Sequence, residues 1–330
     1  MSNIYCGDAR VVLRDMPAES VDCCITSPPY YNLRDYGVDP LSWGDGWVGS
    51  LGLEPSVNLY INHLLEITLE IWRVLKSQGT FWLNIGDTYC SQRPGSRDPQ
   101  RWPKQSRNDH RVKISTYGRG VKPKELFLVP ARLSLGLQEQ GWWVRQDIIW
   151  NKRNPMPESV NDRCTKSHEY IFLLTKAPRY YSNFESIKEP MVEYERLRRL
   201  REKAKGLNTV YNLTRDGKTG LQDQGQDGAC RTNACRQRLA EKGLRNRRSV
   251  WTTSAARFKG NHFATFPGNL IEPMIKAGCP EGGVTLDPFC GSGTTGEEAI
   301  KLGRSFIGID VKPENVEISN NRLFKERSIK

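Results

Sequence analysis

The sequence predicts an α/β fold, a mostly parallel open sheet covered by helices on both faces. Three observations carry that expectation. Short apolar runs of strand length alternate with stretches of helical spacing. Gly, Pro and polar clusters separate them. A glycine-rich loop, Gly291-Ser292-Gly293-Thr294-Thr295-Gly296, follows a predicted strand and opens a predicted helix, the place where ligands meet the carboxyl edge of such a sheet.

Ile4–Cys6 reads as a short strand that ends at Gly7-Asp8, and the amphipathic stretch Ala9–Met16 follows. Val21–Ile25 is a second strand. It stops at Ser27-Pro28-Pro29-Tyr30 because proline cannot donate to a sheet ladder. Beyond a Gly- and Trp-rich loop, Ser56 is placed to cap a long helix to about Lys76, and Gly79 ends it. Tyr60, Leu64, Ile67, Ile71 and Leu75 fall on one face of that helix. Thr80–Asp87 is the next strand, and residues 91–124, poor in apolar side chains, read as a basic mobile loop. Glu125–Gly141 reads as a helix, with Trp142–Trp150 and His168–Lys176 as strands.

From about Asn183 to Ser249 the chain turns polar and basic, with a helix expected over Arg196–Gly206 and a loop over Leu221–Arg236. The alternation then resumes. A helix follows Pro267, then come a strand over Val284–Phe289, the glycine loop, a helix over Thr294–Gly303, a strand over Ser305–Asp310 and a final helix from Pro313.

The net charge of +12 is unevenly placed. Residues 91–124 hold ten Lys/Arg against two Asp/Glu, and residues 193–250 hold fifteen against seven. These two segments therefore carry more than the whole excess, which leaves a mildly acidic body and the charge footprint of a polyanion binder. Mean hydropathy is −0.61, and no apolar run approaches the roughly 18 residues that span a bilayer. The first residues lack a positive segment followed by an apolar one, so no signal peptide is expected. Nine cysteines form no C-x-x-C pair, and none of the four histidines lies near Cys230 and Cys235. Free thiols in a reducing cytoplasm, and no metal site, are expected.

Glycines at 291, 293 and 296 let the backbone turn tightly and approach a ligand, and the helix N-terminus behind them favours an anionic group. The next strand ends at Asp310, where a carboxylate can bond ribose hydroxyls. By spacing alone the loop is a G-x-G-x-x-G, which fits a dinucleotide-dependent oxidoreductase as well.

Asp287-Pro288-Phe289 ahead of the glycines makes the stretch resemble the D-P-F-x-G-x-G-T-T loop of S-adenosylmethionine-dependent, amino-methylating DNA methyltransferases. Ser27-Pro28-Pro29-Tyr30 resembles the same family's S/D/N-P-P-Y/F/W tetrapeptide, and its position ahead of the cofactor loop is similar to the permuted order of the beta group. Gly7-Asp8 looks like the strand end that contacts the cofactor's adenine, and His262–Pro267 like the element that packs against the cofactor. The resemblance covers roughly 1–90, 125–182 and 252–330.

It implies a Rossmann-like methyltransferase fold interrupted by an inserted basic recognition region. Residues 1–182 would form the first part of the catalytic domain, 183–251 the target-recognition region, and 252–330 the cofactor-binding part. It implies Asp8, Phe266, Asp287, Phe289, Gly291, Gly293, Thr294 and Asp310 as holders of S-adenosylmethionine. Ser27, Pro28, Pro29 and Tyr30 would carry the chemistry on a base flipped from the duplex. A nucleobase amine is a poor nucleophile because its lone pair is delocalised into the ring. The Ser27 hydroxyl and the Pro28 carbonyl, held by stiff proline backbone, can accept both amine hydrogens and return that lone pair to nitrogen. Tyr30 offers an aromatic face for the base.

Ser at the first position is associated in the family with cytosine-N4 methylation and Asp with adenine-N6, so cytosine-N4 is expected and adenine-N6 stays open. Carbon-5 methylation would need a Cys nucleophile on a Pro-Cys pair, and the chain has none. Arg198, Arg199, Arg245, Arg247 and Arg248 suit phosphate contacts, with Arg also able to read guanine. Trp150–Ser159 follows a strand and is placed to line the base pocket. The expected partner is double-stranded DNA, acted on in the cytoplasm by a monomer or a homodimer of prokaryotic or phage-encoded origin, with room for a restriction endonuclease working separately. A non-catalytic DNA binder keeping this fold, and RNA as substrate, stay open at this level.

Overall fold

The computed structural model describes residues 2–33, 35, 37–90, 119–204, 241–255 and 266–325. Most of the expected basic loop, from 91 to 118, lies outside them, as do Cys230, Cys235 and the 221–236 stretch. The chain forms two compact units. One comprises Met1–Asn183 with Ser249–Lys330, and the other Phe184–Arg248.

The first unit is built on one eight-stranded sheet. Its strands are β1 (Asn3–Cys6), β2 (Val21–Thr26), β5 (Leu75–Ile85), β6 (Trp143–Lys152), β7 (His168–Thr175), β10 (Val250–Thr253), β11 (Val284–Asp287) and β12 (Ser305–Asp310). They lie in the order β1-β12-β11-β2-β5-β7-β6-β10. All neighbours pair in parallel except β7, which runs against both β5 and β6. The small hairpin of β3 (Leu41–Ser42) and β4 (Val48–Gly49) stands apart in the Gly- and Trp-rich loop.

Helices α1 (Ala9–Asp15), α2 (Val57–Val74) and α3 (Val129–Glu139) pack in succession, while α5 (Gly268–Gly278) packs on α6 (Thr294–Lys301). Strand β5 shows why both faces must be covered. Phe81, Leu83 and Ile85 join the core formed with α2 and α3, while Thr80 donates to the Gly278 carbonyl on α5 and Trp82 meets Trp251. A helix α7 (Pro313–Asn320) closes the described chain, followed by a single π turn over Asn321–Lys325. Among the described residues no helix is long and apolar enough to cross a membrane.

Ser56 caps α2 as its position predicts, its Oγ accepting from the Leu59 amide at 3.2 Å, and Tyr60, Leu64, Ile67 and Ile71 are buried on one face. The predicted end is corrected. The helix stops at Val74, because Leu75 pairs with Val21 and starts β5, and the Ser20 amide takes the Val74 carbonyl. The expected helix over Glu125–Gly141 also begins later. Tyr89 bridges Leu126, Leu128 takes a left-handed φ of 57°, and Pro130, with no amide hydrogen to lose, opens the first turn. Strand β11 ends at Asp287, two residues short of expectation, and the edge strand β10 begins at the end of the polar, basic stretch, where no strand is expected.

The chain leaves β2 towards β5 and leaves β11 towards β12, so the connections diverge between these neighbouring strands. An open α/β sheet has its crevice at such a point. Asp287, 1 % exposed, closes the junction. Thr26 Oγ1 on β2 donates to its Oδ1 at 2.6 Å, Thr295 Oγ1 on α6 to its Oδ2 at 2.6 Å, and the Phe289 amide to Oδ1 at 3.1 Å.

Burial pushes the Asp287 carboxyl up to about 6, against three donors that favour its ionised form. An unfolded chain ionises this group near 4. Between about pH 4 and 6 the folded protein therefore keeps a proton that the unfolded one has released, and this group's contribution to stability falls as pH rises through that window. Asp287→Asn removes the effect. Urea unfolding should show the variant-minus-wild-type stability difference moving in the variant's favour by about 2–3 kcal/mol between pH 4 and 7. A difference that is constant with pH would show that folding leaves the Asp287 carboxyl unshifted.

Candidate active site

The crevice between β11 and β2 opens into a cleft of about 960 Å³. That volume suits a drug-sized ligand together with part of a second group. Ser27, Pro28, Pro29 and Tyr30 line it, and so do Asp8, Phe266, Asp287, Phe289, Gly291, Thr294 and Asp310. Of the residues expected to hold a cofactor only Gly293 stays out. It begins α6 with φ 78°, and a Cβ there would come within 3.0 Å of Ser319 Oγ. His262–Thr265 lie outside the described residues, and Phe266 is the first described residue of that element.

One half of the cleft is acidic and rigidly tied. The Asp310 Oδ2 accepts the Gly291 amide at 3.0 Å, and its Oδ1 accepts Lys312 N and Asn315 Nδ2, both at 2.9 Å. The Ser319 hydroxyl donates to the Gly291 carbonyl at 2.7 Å. Gly291 has φ 51°, and a Cβ added there meets no protein atom within 4 Å. Asp8 caps α1 by accepting the Arg10 amide at 2.9 Å and the Arg10 guanidinium at 2.6 Å. Arg10 in turn lies 3.8 Å over the Trp43 ring. Trp43 also stacks on His63, which sits between the Glu54 and Asp45 carboxyls at 2.9 and 3.2 Å and fixes the β3–β4 loop to α2.

This half fits S-adenosylmethionine. Carboxylates with spare lone pairs suit ribose hydroxyls and a cationic sulfonium, while Phe266 and Phe289 offer apolar surface. The open space beside Gly291 admits a ligand close to the backbone.

The other half is built on the Pro-Pro turn. Tyr60 on α2 donates its hydroxyl to the Pro29 carbonyl at 2.7 Å, and among the described residues nothing donates to the Pro28 carbonyl. Ser27 Oγ donates to Tyr30 Oη at 3.2 Å. Tyr30 Oη lies 2.7 Å from Glu169 Oε2 and 3.1 Å from Asn84 Oδ1, with the phenol as donor. Asn84 Nδ2 donates to Glu169 Oε2 at 3.2 Å and to the Tyr170 carbonyl at 3.1 Å, and Lys152 Nζ pairs with Glu169 Oε1. Burial, then the Glu169 carboxylate, raise the Tyr30 phenol well above 10. Gly86 makes room for the ring, since a Cβ there would lie 2.6 Å from it.

Glu169 and Asn84 are what sequence reasoning misses, and Lys152 is reached only as part of the Trp150–Ser159 segment, without its glutamate partner. The run His168–Lys176 reads only as a strand, and a glutamate at the head of such an apolar run is the available signal. Trp150, Lys152, Asn154, Pro155, Met156 and Glu158 line the cleft, as expected of the Trp150–Ser159 segment. Nearby, Lys166 Nζ donates to the Asp87 carbonyl at 2.6 Å. Burial lowers the Lys166 amine and raises the Asp87 carboxyl. Among the described residues no group of His, Cys, Asp and Glu is arranged to hold a metal ion.

The five arginines expected at nucleic acid all belong to the second unit, which carries helix α4 (Glu193–Ala204) and the ladder of β8 (Glu189–Pro190) with β9 (Leu244–Arg245). Arg245 pairs with Glu189 at 2.9 Å and Glu195 at 2.7 Å, Arg199 with Glu195 at 2.6 Å, and Arg248 with Glu189 at 2.8 Å. Arg198 is exposed on α4 and Arg247 is half-buried.

Comparison with known proteins agrees with this geometry. A family model described as "DNA methylase", covering N6 and N4 methyltransferases, matches residues 21–321. The chain is 40% identical to the Type II methyltransferase M.Cfr9I of Citrobacter freundii over 322 residues, 98% of this chain and 87% of that protein. It is 38% identical to M.SmaI of Serratia marcescens, covering 98% and 91% of the two chains. Among solved structures, PvuII DNA methyltransferase (cytosine-N4-specific) superposes with a TM-score of 0.60 at 18% identity over 98% of this chain and 86% of that one. A putative DNA modification methylase of Thermus thermophilus, complexed with S-adenosyl-L-methionine, gives 0.55 at 19% identity over 99% and 94%. The oxidoreductase reading of the glycine loop is thereby set aside, and the chain belongs to the N6/N4 family of S-adenosylmethionine-dependent DNA methyltransferases.

Proposed function

We propose that the protein is a Type II DNA methyltransferase that methylates the N4 amine of cytosine. The choice of base rests on the family's association of a serine at the head of the tetrapeptide with cytosine-N4. The acceptor geometry, with the Ser27 hydroxyl hydrogen already given to Tyr30, supports amine methylation as such. A hydroxyl has one hydrogen, so the face of Ser27 Oγ turned to the cleft can only accept. With the Pro28 carbonyl it offers two acceptors to one amine, on a backbone stiffened by two prolines and pinned by Tyr60. The Tyr30 ring, seated on Gly86, gives the extruded base a face to stack on. Relatives of near full-length overlap described as Type II methyltransferases support the Type II reading, with a separate endonuclease as partner.

S-adenosylmethionine, when bound, supplies an electrophilic methyl group on a sulfonium sulfur. Asp8, Asp310, Phe266, Phe289, Thr294 and the Gly291 backbone would hold it. Asp287 acts on the loop from beneath, since its oxygens are already bonded to Thr26, Thr295 and the Phe289 amide. Gly293 serves by letting the chain turn into α6. In the second unit, taken as the target-recognition region, Arg198, Arg247 and Arg248 face phosphates. Arg199 and Arg245 brace α4 against β8 and β9 through Glu195 and Glu189.

Incubation with S-adenosylmethionine carrying a heavy methyl group and unmethylated mixed-sequence DNA, followed by digestion to nucleosides, should give labelled N4-methyldeoxycytidine. Labelled N6-methyldeoxyadenosine would overturn the choice of base and keep the family. Ser27→Ala should slow methylation by about 100-fold or more with donor affinity unchanged by calorimetry. A variant that instead loses donor binding would place Ser27 in the other half of the cleft. With roughly six to ten phosphates contacted, DNA affinity should fall by about 10³–10⁵ between about 50 and 200 mM salt, and a flat titration would remove the phosphate role of the basic segments.

A further inference from the structure

We propose that Glu169 is the terminal proton acceptor of a hydrogen-bond chain that begins at Ser27 and passes through Tyr30. The inference rests on the reading of Ser27 as an amine acceptor and goes beyond it, because it assigns a route for the proton that methylation leaves in excess.

The chain has one direction. Ser27 donates to Tyr30 at 3.2 Å, and the Tyr30 hydroxyl, 2.7 Å from Glu169 Oε2, donates onward. Serine and tyrosine each have a single hydroxyl hydrogen, and both groups beyond the phenol, Glu169 Oε2 at 2.7 Å and Asn84 Oδ1 at 3.1 Å, can only accept. Tyr30 therefore donates away from Ser27 and Ser27 must donate to it, with Glu169 the nearer and more basic acceptor. The raised phenol keeps Tyr30 protonated, and therefore a donor, through the neutral range. Glu169 is held from three sides. Asn84 on β5 donates to Oε2, Lys152 on β6 pairs with Oε1, and Lys166, just ahead of β7, adds its charge nearby.

A nitrogen that has gained a methyl group carries one proton too many. That N–H bond breaks towards Ser27 Oγ, the Ser27 O–H bond breaks towards Tyr30 Oη, and the Tyr30 O–H bond breaks towards Glu169 Oε2. The base is left as a neutral methylamine, both hydroxyls are restored, and the carboxylate has become a carboxylic acid. Solvent takes that proton when the product leaves.

The test is single-turnover methyl transfer from labelled S-adenosylmethionine to DNA, followed from about pH 5 to 9, for wild type, Tyr30→Phe, Glu169→Gln and the double variant. Each single variant should lose about 100-fold or more in rate with unchanged donor and DNA affinity. The double variant should be no slower than either, because the two act as one unit. A wild-type rate for Tyr30→Phe, or additive losses in the double variant, would each overturn the relay. If Glu169→Gln fails to fold with Lys152 left unpaired, Glu169→Gln/Lys152→Met takes its place and should be equally slow. A wild-type protein that binds the donor and methylates no DNA would overturn the reading of the site itself, whatever the variants do.

Discussion

Everything about the cleft depends on one carboxylate withdrawn from water. Asp287 takes hydrogens from a residue of β2, a residue of α6 and an amide of the loop between β11 and α6, so one side chain joins the parts that diverge at the centre of the sheet. Thr26 leads directly into the Pro-Pro turn, and Phe289 leads into the glycines. Buried hydroxyls and amides must be partnered, and leaving one unmade costs about 1–3 kcal/mol. The two halves of the cleft are thus referred to each other by short bonds inside the core rather than by contacts across the opening.

The halves differ in charge as a consequence of which strand ends they use. The ends of β1, β11 and β12 bring Asp8, Asp287 and Asp310, while β6 and the approach to β7 bring Lys152 and Lys166. Lys152 pairs with Glu169, and Lys166 lies within the influence of Asp87, Glu169 and Glu158. In the second unit, arginine–glutamate pairs tie α4 to β8 and β9.

How much of this can be read from the residues depends on how local the cause is. Ser56 and the spacing from Tyr60 to Ile71 specify a helix because cap and stripe act within a few turns. The prolines at 28 and 29 and the glycines at 291 and 293 mark the two loops because their backbone limits are their own. Leu75 cannot be placed this way, since it continues the helical stripe and only its pairing with Val21 turns it into strand. Glu125–Phe127 has helix-forming residues but is drawn out by bonds to Thr88 and Cys90. Glu169 lies 139 residues from Tyr30 and Thr26 lies 261 from Asp287, separations at which no pattern survives. The same holds for β10, four residues whose strand character comes from the free edge of β6.

Strand β7 runs alone against its neighbours, so its first residues, not its last, reach the crevice. Tyr170, next to Glu169, is paired on both sides, with Ile85 and Ile149, whereas the acidic half of the cleft is presented by turns. The two halves therefore stand under unequal evolutionary constraint. Substitutions and length changes in the turns can retune what is bound and how tightly, while the glutamate is anchored in a ladder that cannot slip by one residue without turning every side chain of the strand to the opposite face.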